Sequence, residues 1–309
     1  MKSQRPAAFV HPFALVESGA ELGMGVIIGP FCQVGRDVVL HDSVELISHA
    51  VVVGRTNVGA RTRIFPFASI GHAPQDRKYA GEASILEIGA DCVIREGVTI
   101  NPGTAGGRMA TNIGDRCTLL AQSHVAHDCR LGNDVVLANN VMLAGHVVVE
   151  DHAILGGGAA VQQFVRIGAH AFLGGLSGLE SDIIPFGFAS GNRARLTGLN
   201  LVGMRRRGFS RDSIEALRAA YRFLFAPGGT LRERASETLR NSPSLEVRQL
   251  ARFIIEGVDR NFCLPRDGLE RPALTRRCYR PACFARPTRR NSECSSSRAS
   301  HLAMRSAEV

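Results

Sequence analysis

Residues 10–70 decide the fold, and they read VHPFALVESGAELGMGVIIGPFCQVGRDVVLHDSVELISHAVVVGRTNVGARTRIFPFASI. An aliphatic residue stands at every sixth position of this stretch: Val10, Val16, Leu22, Ile28, Val34, Leu40, Leu46, Val52, Val58, Ile64 and Ile70. The spacing resumes in phase at Ile88, and after a second break it restarts at Ile113, shifted by one residue, and continues to Leu179. A strict period of six matches neither an α-helix nor an alternating strand.

This period predicts a mainly β fold, a parallel β-helix of hexapeptide repeats. Each unit of six residues is a short strand and a turn, and three units close one triangular coil of roughly 18 residues. The aliphatic side chain points to the axis, and the Gly that often follows it, as at Gly23 and Gly29, suits a tight corner. A β-sandwich is the alternative, but sandwich strands do not hold one register over so many steps.

Two breaks and a change of period divide the chain. Residues 71–87 and 101–112 are too polar and glycine-rich to continue the coil, so we expect loops that project from one face. The first contains Gln75-Asp76-Arg77-Lys78-Tyr79, which is either a site loop or a solvated loop without a role. We predict a β-helix over 8–190, a small helical domain over 191–265 with an N-cap at Ser210, and a basic, disordered extension over 266–309.

The composition argues against several classes of function. The net charge is +9, but residues 268–309 alone hold nine Arg and three acidic residues, which is weak support for nucleic-acid binding. The eight Cys show no C-x-x-C pair, so free thiols in a reducing compartment are the simpler interpretation. No stretch approaches the roughly 18 apolar residues of a membrane span. We therefore expect a cytoplasmic protein with no membrane span and no nucleic-acid partner.

The segment Ser123-His124-Val125-Ala126-His127-Asp128-Cys129 carries the strongest chemical signal. Val125 and Leu143 occupy equivalent positions in adjacent coils, so His127 and His146 should lie near one edge on neighbouring rungs. Three interpretations remain open for this polar stripe. His127 could act as a general base oriented by Asp128; His124, His127 and His146 could bind a metal, although His124 and His127 should face different directions; or the stripe could be a solvated edge.

Two further features could bind substrate groups. Acyl transfer needs a donor for a developing oxyanion, and the amide of Gly145 is a candidate, although glycine corners are common in this fold. Arg205, Arg206 and Arg207 stand between the coil and the helices, where they could bind phosphates or form a solvated basic turn.

The chain resembles the acyl-acyl carrier protein:UDP-N-acetylglucosamine O-acyltransferases, the first enzymes of lipid A synthesis. The resemblance covers residues 8 to 262 and is carried by AFVHP at 8–12, PQDRKYAGE at 74–82, SHVAHDC at 123–129, LANNVMLAGH at 137–146, QF at 163–164 and the segment 200–209 with its RRRGF element. The two histidine strings in register together with RRRGF are not general features of hexapeptide proteins.

The resemblance implies a left-handed β-helix and a homotrimer with active sites between subunits. It implies that His127 is the general base, that Asp128 supports it and that Gly145 binds the oxyanion. It further implies substrate contacts at the following residues: Gln75, Asp76, Lys78, His124, His146, Gln163, Gly175, Asn200, Arg206 and Arg207. Among these, Gly175 resembles the family's acyl-chain ruler, and Asn200, Arg206 and Arg207 match residues that bind the nucleotide end.

The reaction implied is transfer of a 3-hydroxyacyl chain from acyl carrier protein to the 3-hydroxyl of UDP-N-acetylglucosamine, with the carrier thioester as co-substrate and with no metal or cofactor. Asn101 and Gln162 stand where many members have His, and Val202 where many have Glu, which puts sugar and uracil recognition in doubt. Other functions remain: acylation of a 3-amino sugar nucleotide, the later N-acyltransferase of the same pathway, a zinc-dependent hydratase of the carbonic anhydrase type, or a scaffold.

Overall fold

The computed structural model describes residues 7–257 and 260–266, which form many short strands followed by four helices. In chain order the strands are β1 (Phe9–Val10), β2 (Leu15–Val16), β3 (Glu21–Leu22), β4 (Ile27–Ile28), β5 (Gln33–Val34), β6 (Val39–Leu40), β7 (Glu45–Leu46), β8 (Val51–Val52), β9 (Arg55–Val58), β10 (Arg63–Ile64), β11 (Ser69–Ile70), β12 (Ile85–Ile88), β13 (Val93–Ile94), β14 (Thr99–Ile100), β15 (Ala110–Ile113), β16 (Thr118–Leu119), β17 (His124–Val125), β18 (Arg130–Leu131), β19 (Val136–Leu137), β20 (Met142–Leu143), β21 (Val148–Val149), β22 (Ile154–Leu155), β23 (Ala160–Val161), β24 (Arg166–Ile167), β25 (Phe172–Leu173), β26 (Gly178–Leu179), β27 (Gly187–Ser190) and β28 (Arg195–Leu199).

Every third strand pairs in parallel, so the strands form three long sheets around one axis. Face A begins β1-β4-β7, face B begins β2-β5-β8, and face C contains β3, β6 and β9. This is the predicted left-handed parallel β-helix. Adjacent rungs are about 4.8 Å apart, as in any sheet. The corner after face B, called here the B–C corner, carries the candidate site.

The core is the interior of the prism. The second residue of nearly every strand is the aliphatic residue of the repeat, and from Ile28 to Leu179 these residues are buried. The residue two positions earlier also points inward because side chains alternate along a strand, as Val26 does before Ile28. Small residues fill this second position, among them Cys32, Cys92, Cys117 and Cys129. These thiols and that of Cys263 are free, as predicted for the cysteines that the structure describes.

The corners are tight, for two separate reasons. A Cβ at Gly29 would lie 1.8 Å from the carbonyl oxygen of Ile47 on the next rung, so the close approach of backbone, rather than a positive φ, requires glycine there. The left-handed conformation falls two residues later in the repeat and is taken mostly by other residues, including Phe31 at φ 59° and His146 at φ 63°. The sequence predicts a tight corner, but it does not predict that the close backbone contact and the left-handed conformation fall at different positions of the repeat.

Both breaks form irregular segments, but each is shorter than predicted. Strand β12 begins at Ile85 and β15 begins at Ala110, inside the ranges predicted to be loops. The two strands pair with each other over four residues, from Ile85 opposite Ala110 to Ile88 opposite Ile113. The segments outside the coil are therefore 71–84 and 101–109, called here the first and second site loops.

The end of the coil is closed by a hairpin, and the four helices follow it. Strand β27 continues face A in parallel and then pairs antiparallel with β28, so residues 195–199, predicted to belong to the helical domain, extend face A instead. The helices are α1 (Leu201–Arg206), α2 (Arg211–Leu224), α3 (Leu231–Asn241) and α4 (Leu245–Ile255). Ser210 caps α2 as predicted, by accepting a hydrogen bond from the amide of Ser213. No helix in the described part of the chain is long and apolar enough to cross a membrane.

A buried carboxylate attaches the segment after α4 to the coil. Asp182 accepts hydrogen bonds from Arg166 Nε at 2.7 Å and Arg260 Nε at 3.3 Å, and its side chain is fully buried. Arg166 also lies over the ring of Phe253 in α4, 4.2 Å from its centroid. The predicted extension over 266–309 lies outside the described residues, except for Arg266.

Candidate functional site

Two rungs of the B–C corner bring the central predicted residues together. Val125 pairs with Leu143 across β17 and β20, and the corners that follow these strands contain His127 and His146. The amide of His146 donates to the carbonyl oxygen of His127 at 3.0 Å, and the two imidazole rings meet edge to face with centroids 5.0 Å apart. The predicted placement on one edge and on neighbouring rungs is therefore confirmed.

Asp128 fixes the orientation of His127. The two side chains are joined by a 2.9 Å hydrogen bond between Nδ1 and Oδ2. Burial raises the pKa of Asp128, but hydrogen bonds from Thr104, His127 and the amide of Arg108 outweigh it and hold the pKa below its ordinary value. The carboxylate can only accept, so the proton of a neutral His127 resides on Nδ1 and the lone pair on Nε2. His127 is thereby arranged to accept a proton at Nε2.

Gly145 lies directly against the imidazole of His127. A Cβ built on Gly145 would be 2.5 Å from Cε1 and 2.6 Å from Nε2 of that ring, so only glycine fits without moving it. The carbonyl of Gly145 accepts from the amide of Phe164 at 3.1 Å, whereas its own amide has no acceptor among the described residues. A free backbone N–H beside a base is the arrangement that can stabilise an oxyanion.

The first site loop places a carboxylate near Nε2 of His127. Asp76 Oδ2 lies 4.0 Å from His127 Nε2, and Asp76 Oδ1 accepts from the amide of Lys78 at 3.0 Å. Gln75 and Lys78 are exposed on the same loop. The structure therefore brings Asp76 to the predicted site and leaves the other two at its solvent side.

Three more predicted residues, His124, His146 and Gln163, lie on face B or at the B–C corner. His124 lies on face B, where Thr99 Oγ1 bonds its Nδ1 at 2.6 Å, and burial together with the charge of His127 lowers its pKa. His146 stacks on Phe164 with centroids 4.4 Å apart, and burial lowers its pKa as well. Gln163 precedes Phe164 and is exposed.

Four predicted residues lie at other corners of the same chain. Gly175 lies at the corner between faces A and B. Asn200 caps α1 and donates to the carbonyl oxygen of His170 at 2.9 Å, while Arg207 donates to that of His152 at 2.8 Å, both at the corner between faces C and A. Arg206 is exposed beside a cavity of about 610 Å³ lined by residues that include Phe172, Leu201 and Val202. A single chain therefore does not assemble the whole predicted set.

The residues that could bind a metal differ from the predicted set. Ligand atoms of His127, Asp128 and His146 lie within 4.8 Å of one another, but His124 is not in this group. Asp128 Oδ2 already accepts from Thr104 Oγ1 at 2.6 Å and from His127, and its Oδ1 accepts from the amide of Arg108 at 2.7 Å. A carboxylate with its lone pairs engaged in this way is a poor ligand, because binding an ion would break those bonds.

Several residues of the site were missed by the sequence analysis. Thr104 and Arg108 contact Asp128 from the second site loop, and Thr99 holds His124. The first two lie in a break of the repeat, where the period gives no register, and no sequence signal points to them. Phe164 could have been found, because it stands 18 positions after His146 and must stack above it.

Comparisons with known proteins agree on one family. A family model described as UDP-N-acetylglucosamine O-acyltransferase, domain 2, matches residues 182–263, and one for bacterial transferase hexapeptide repeats matches residues 110–145. An acyl-[acyl-carrier-protein]–UDP-N-acetylglucosamine O-acyltransferase of Rhizobium johnstonii is 51% identical over 269 residues, covering 87% of this chain and 99% of its own length.

Solved structures give the same result. A UDP-N-acetylglucosamine acyltransferase from Campylobacter jejuni is 40% identical with a TM-score of 0.77, covering 83% of this chain and 98% of its own. One from Arabidopsis is 32% identical with a TM-score of 0.73, covering 82% of this chain and 100% of its own.

Proposed function

Because the chain belongs to the acyl-[acyl-carrier-protein]–UDP-N-acetylglucosamine O-acyltransferase family, we propose that it transfers a 3-hydroxyacyl chain from acyl carrier protein to the 3-hydroxyl of UDP-N-acetylglucosamine, the first step of lipid A biosynthesis. The observation that carries the proposal is the contact between the imidazole of His127 and Gly145, whose amide is free. The relatives favour O-transfer over acylation of a 3-amino sugar and over a zinc-dependent hydratase.

The proposed chemistry needs only groups of this corner. His127 Nε2 takes the proton of the sugar hydroxyl while the oxygen attacks the thioester carbonyl and a C–O bond forms. The amide of Gly145 donates to the oxyanion of the tetrahedral intermediate. Collapse breaks the C–S bond, and the proton on Nε2 passes to the leaving thiolate. No metal or cofactor has a step in this scheme.

We further propose a homotrimer whose sites lie between subunits. The corner between faces A and B carries a row of exposed rings in contact. Phe13 stacks on Phe31 with centroids 5.6 Å apart, and His49 lies tilted between Phe31 at 4.9 Å and Phe67 at 5.2 Å. Phe13 and Phe67 are each 67% exposed, an apolar surface that a second copy would cover. Within one chain, Arg206 and Arg207 lie at a different corner from His127, so a neighbouring subunit would supply them to the site.

The carrier protein and the compartment belong to the same proposal. A cavity of about 370 Å³ beside α2 is lined by Arg205, Arg211 and Arg218 and by one acidic residue, Glu215, so its surface is net basic and suited to an acidic carrier protein. The sugar nucleotide would place its nucleotide end near Asn200, Arg206 and Arg207. The five cysteines that the structure describes are free thiols, which fits a reducing, cytoplasmic compartment.

A transfer assay tests the proposed function. We expect the purified protein to form a 3-O-acylated UDP-N-acetylglucosamine from UDP-N-acetylglucosamine and one member of a panel of 3-hydroxyacyl carrier protein thioesters of different lengths, detected by mass spectrometry. UDP-N-acetylgalactosamine is the control acceptor. The absence of product with every thioester, or product with the 3-amino sugar nucleotide only, would contradict the proposal.

A further inference from the structure

The second site loop surrounds the carboxylate of Asp128. Thr104 Oγ1 donates to Oδ2 at 2.6 Å, and the amide of Thr104 lies 3.2 Å from both oxygens. The amide of Arg108 donates to Oδ1 at 2.7 Å. A Cβ on Gly107 would lie 2.2 Å from the carboxyl carbon, so the loop backbone packs directly on the group. Asp128 therefore receives most of its hydrogen bonds from a segment outside the repeat.

The second site loop orients Asp128 by hydrogen bonds, as Asp128 orients His127. The Asp128 side chain is fully buried, so an ionised carboxylate here depends on donors that replace water. Thr104 and Arg108 donate to the two different oxygens of the carboxylate, so they restrain its orientation relative to the imidazole of His127, which bonds Oδ2. If the hydroxyl of Thr104 were removed, Oδ2 would keep the imidazole as its main donor and the carboxylate would lose one of its restraints.

The loop itself is fixed by the first site loop. Glu82 Oε1 accepts from the amide of Ala105, next to Thr104, while Glu82 Oε2 accepts from the amide of Ala80, both at 2.8 Å. The two loops are thus joined by hydrogen bonds. The first places Asp76 near Nε2 of His127, and the second places Thr104 against the carboxylate of Asp128, which bonds Nδ1. Glu82 therefore restrains the residue next to Thr104 in the chain.

We propose that Thr104 is a positioning residue of the transfer reaction, which acts through Asp128 to hold His127 with Nε2 toward the substrate hydroxyl. The proposal rests on the function proposed above, and it assigns Thr104 no contact with substrate. Its effect should appear in kcat rather than in the KM for UDP-N-acetylglucosamine, because the hydroxyl is directed to a buried carboxylate and not to the acceptor.

The test compares Thr104→Val with Thr104→Ser, alone and combined with Asp128→Ala. We expect Thr104→Val to lower kcat by roughly ten- to hundred-fold with an unchanged KM, because a hydrogen bond to a charged group is lost. Thr104→Ser keeps the hydroxyl and should retain most of the activity. In the Asp128→Ala background, Thr104→Val should change kcat by less than about two-fold, because residues that act as a unit are not additive.

Thr62→Val is the matched control, because Thr62 is also buried but lies away from the site. Its hydroxyl donates to the carbonyl oxygen of Gly89 and accepts from the amide of Cys92. If Thr104→Val does not fold, Thr104→Ala removes the same hydroxyl without placing a methyl group against the carboxylate, and the same results are expected. Two results would overturn the inference, provided that the wild-type enzyme and Thr62→Val still transfer. One is a wild-type kcat for Thr104→Val. The other is a loss of kcat from Thr104→Val that is as large in the Asp128→Ala background as in the wild type. Failure of the wild type to transfer at all would instead overturn the proposed function.

Discussion

Replacing His127 by alanine should lower kcat for acyl transfer by about 10²–10⁴-fold, the usual contribution of a general base. The variant removes the only ring that Asp128 orients by a direct hydrogen bond in the described part of the chain. The KM for UDP-N-acetylglucosamine should change little, because the base acts on a proton that moves only in the transition state. Initial rates over a range of UDP-N-acetylglucosamine concentrations would measure both constants.

His41→Ala is the control for this variant, because His41 is an exposed corner residue remote from the site. It should leave kcat within about two-fold of the wild type, as expected for a surface substitution. Far-ultraviolet circular dichroism and the molecular mass should match the wild type for both variants. A His127→Ala enzyme with near-normal kcat would rule out the proposed base.

Replacing Gly145 by alanine should also abolish most of the activity, with an expected loss in kcat of roughly 10²-fold, because it displaces the imidazole of His127. The added methyl group would lie 2.5 Å from Cε1 of His127, so the imidazole must move away from the position that its hydrogen bond to Asp128 sets. Displacement of a reacting group by about 1 Å is enough for a hundred-fold loss. Transfer rates at saturating substrates would show it.

Gly106→Ala is the matched control, because a Cβ there meets nothing within 4 Å and the backbone is not in the left-handed region. It should transfer at the wild-type rate. If Gly145→Ala were as active as Gly106→Ala, the close packing of Gly145 against His127, which carries the proposed function, would not matter for transfer.

The regular part of the fold could be predicted from the sequence because each rung repeats one constraint. An aliphatic side chain must point to the axis once per six residues, and this gave the three faces and the pairing of Val125 with Leu143. The period could not give the handedness, because a coil of either hand places the same residues inside; the left hand came from the family resemblance. Helix α1 was missed because its six residues are too short for a periodic pattern.

The candidate site could be predicted only where it lies on the repeat. His127, Gly145 and His146 occupy fixed positions in the six-residue repeat, so their contact could be predicted from their spacing in the sequence. Thr104 reaches Asp128 from a loop of irregular backbone, and its position depends on contacts such as that between Glu82 and Ala105. Asn200 and Arg207 are predicted to bind nucleotide, and the structure shows that each donates a hydrogen bond to a backbone carbonyl oxygen of the coil.

The proposed function depends on a site divided between subunits, with His127 from one chain and Arg206 from the next. Mixed trimers of His127→Ala chains and Arg206→Ala chains, carrying different tags and assayed well below the KM for UDP-N-acetylglucosamine, test this most directly. Each mixed trimer would contain one intact site of three, so we predict recovery to about a third of the wild-type rate from two nearly inactive parents. If mixed trimers form but stay as inactive as the parents, both groups act within one chain and the shared site is contradicted.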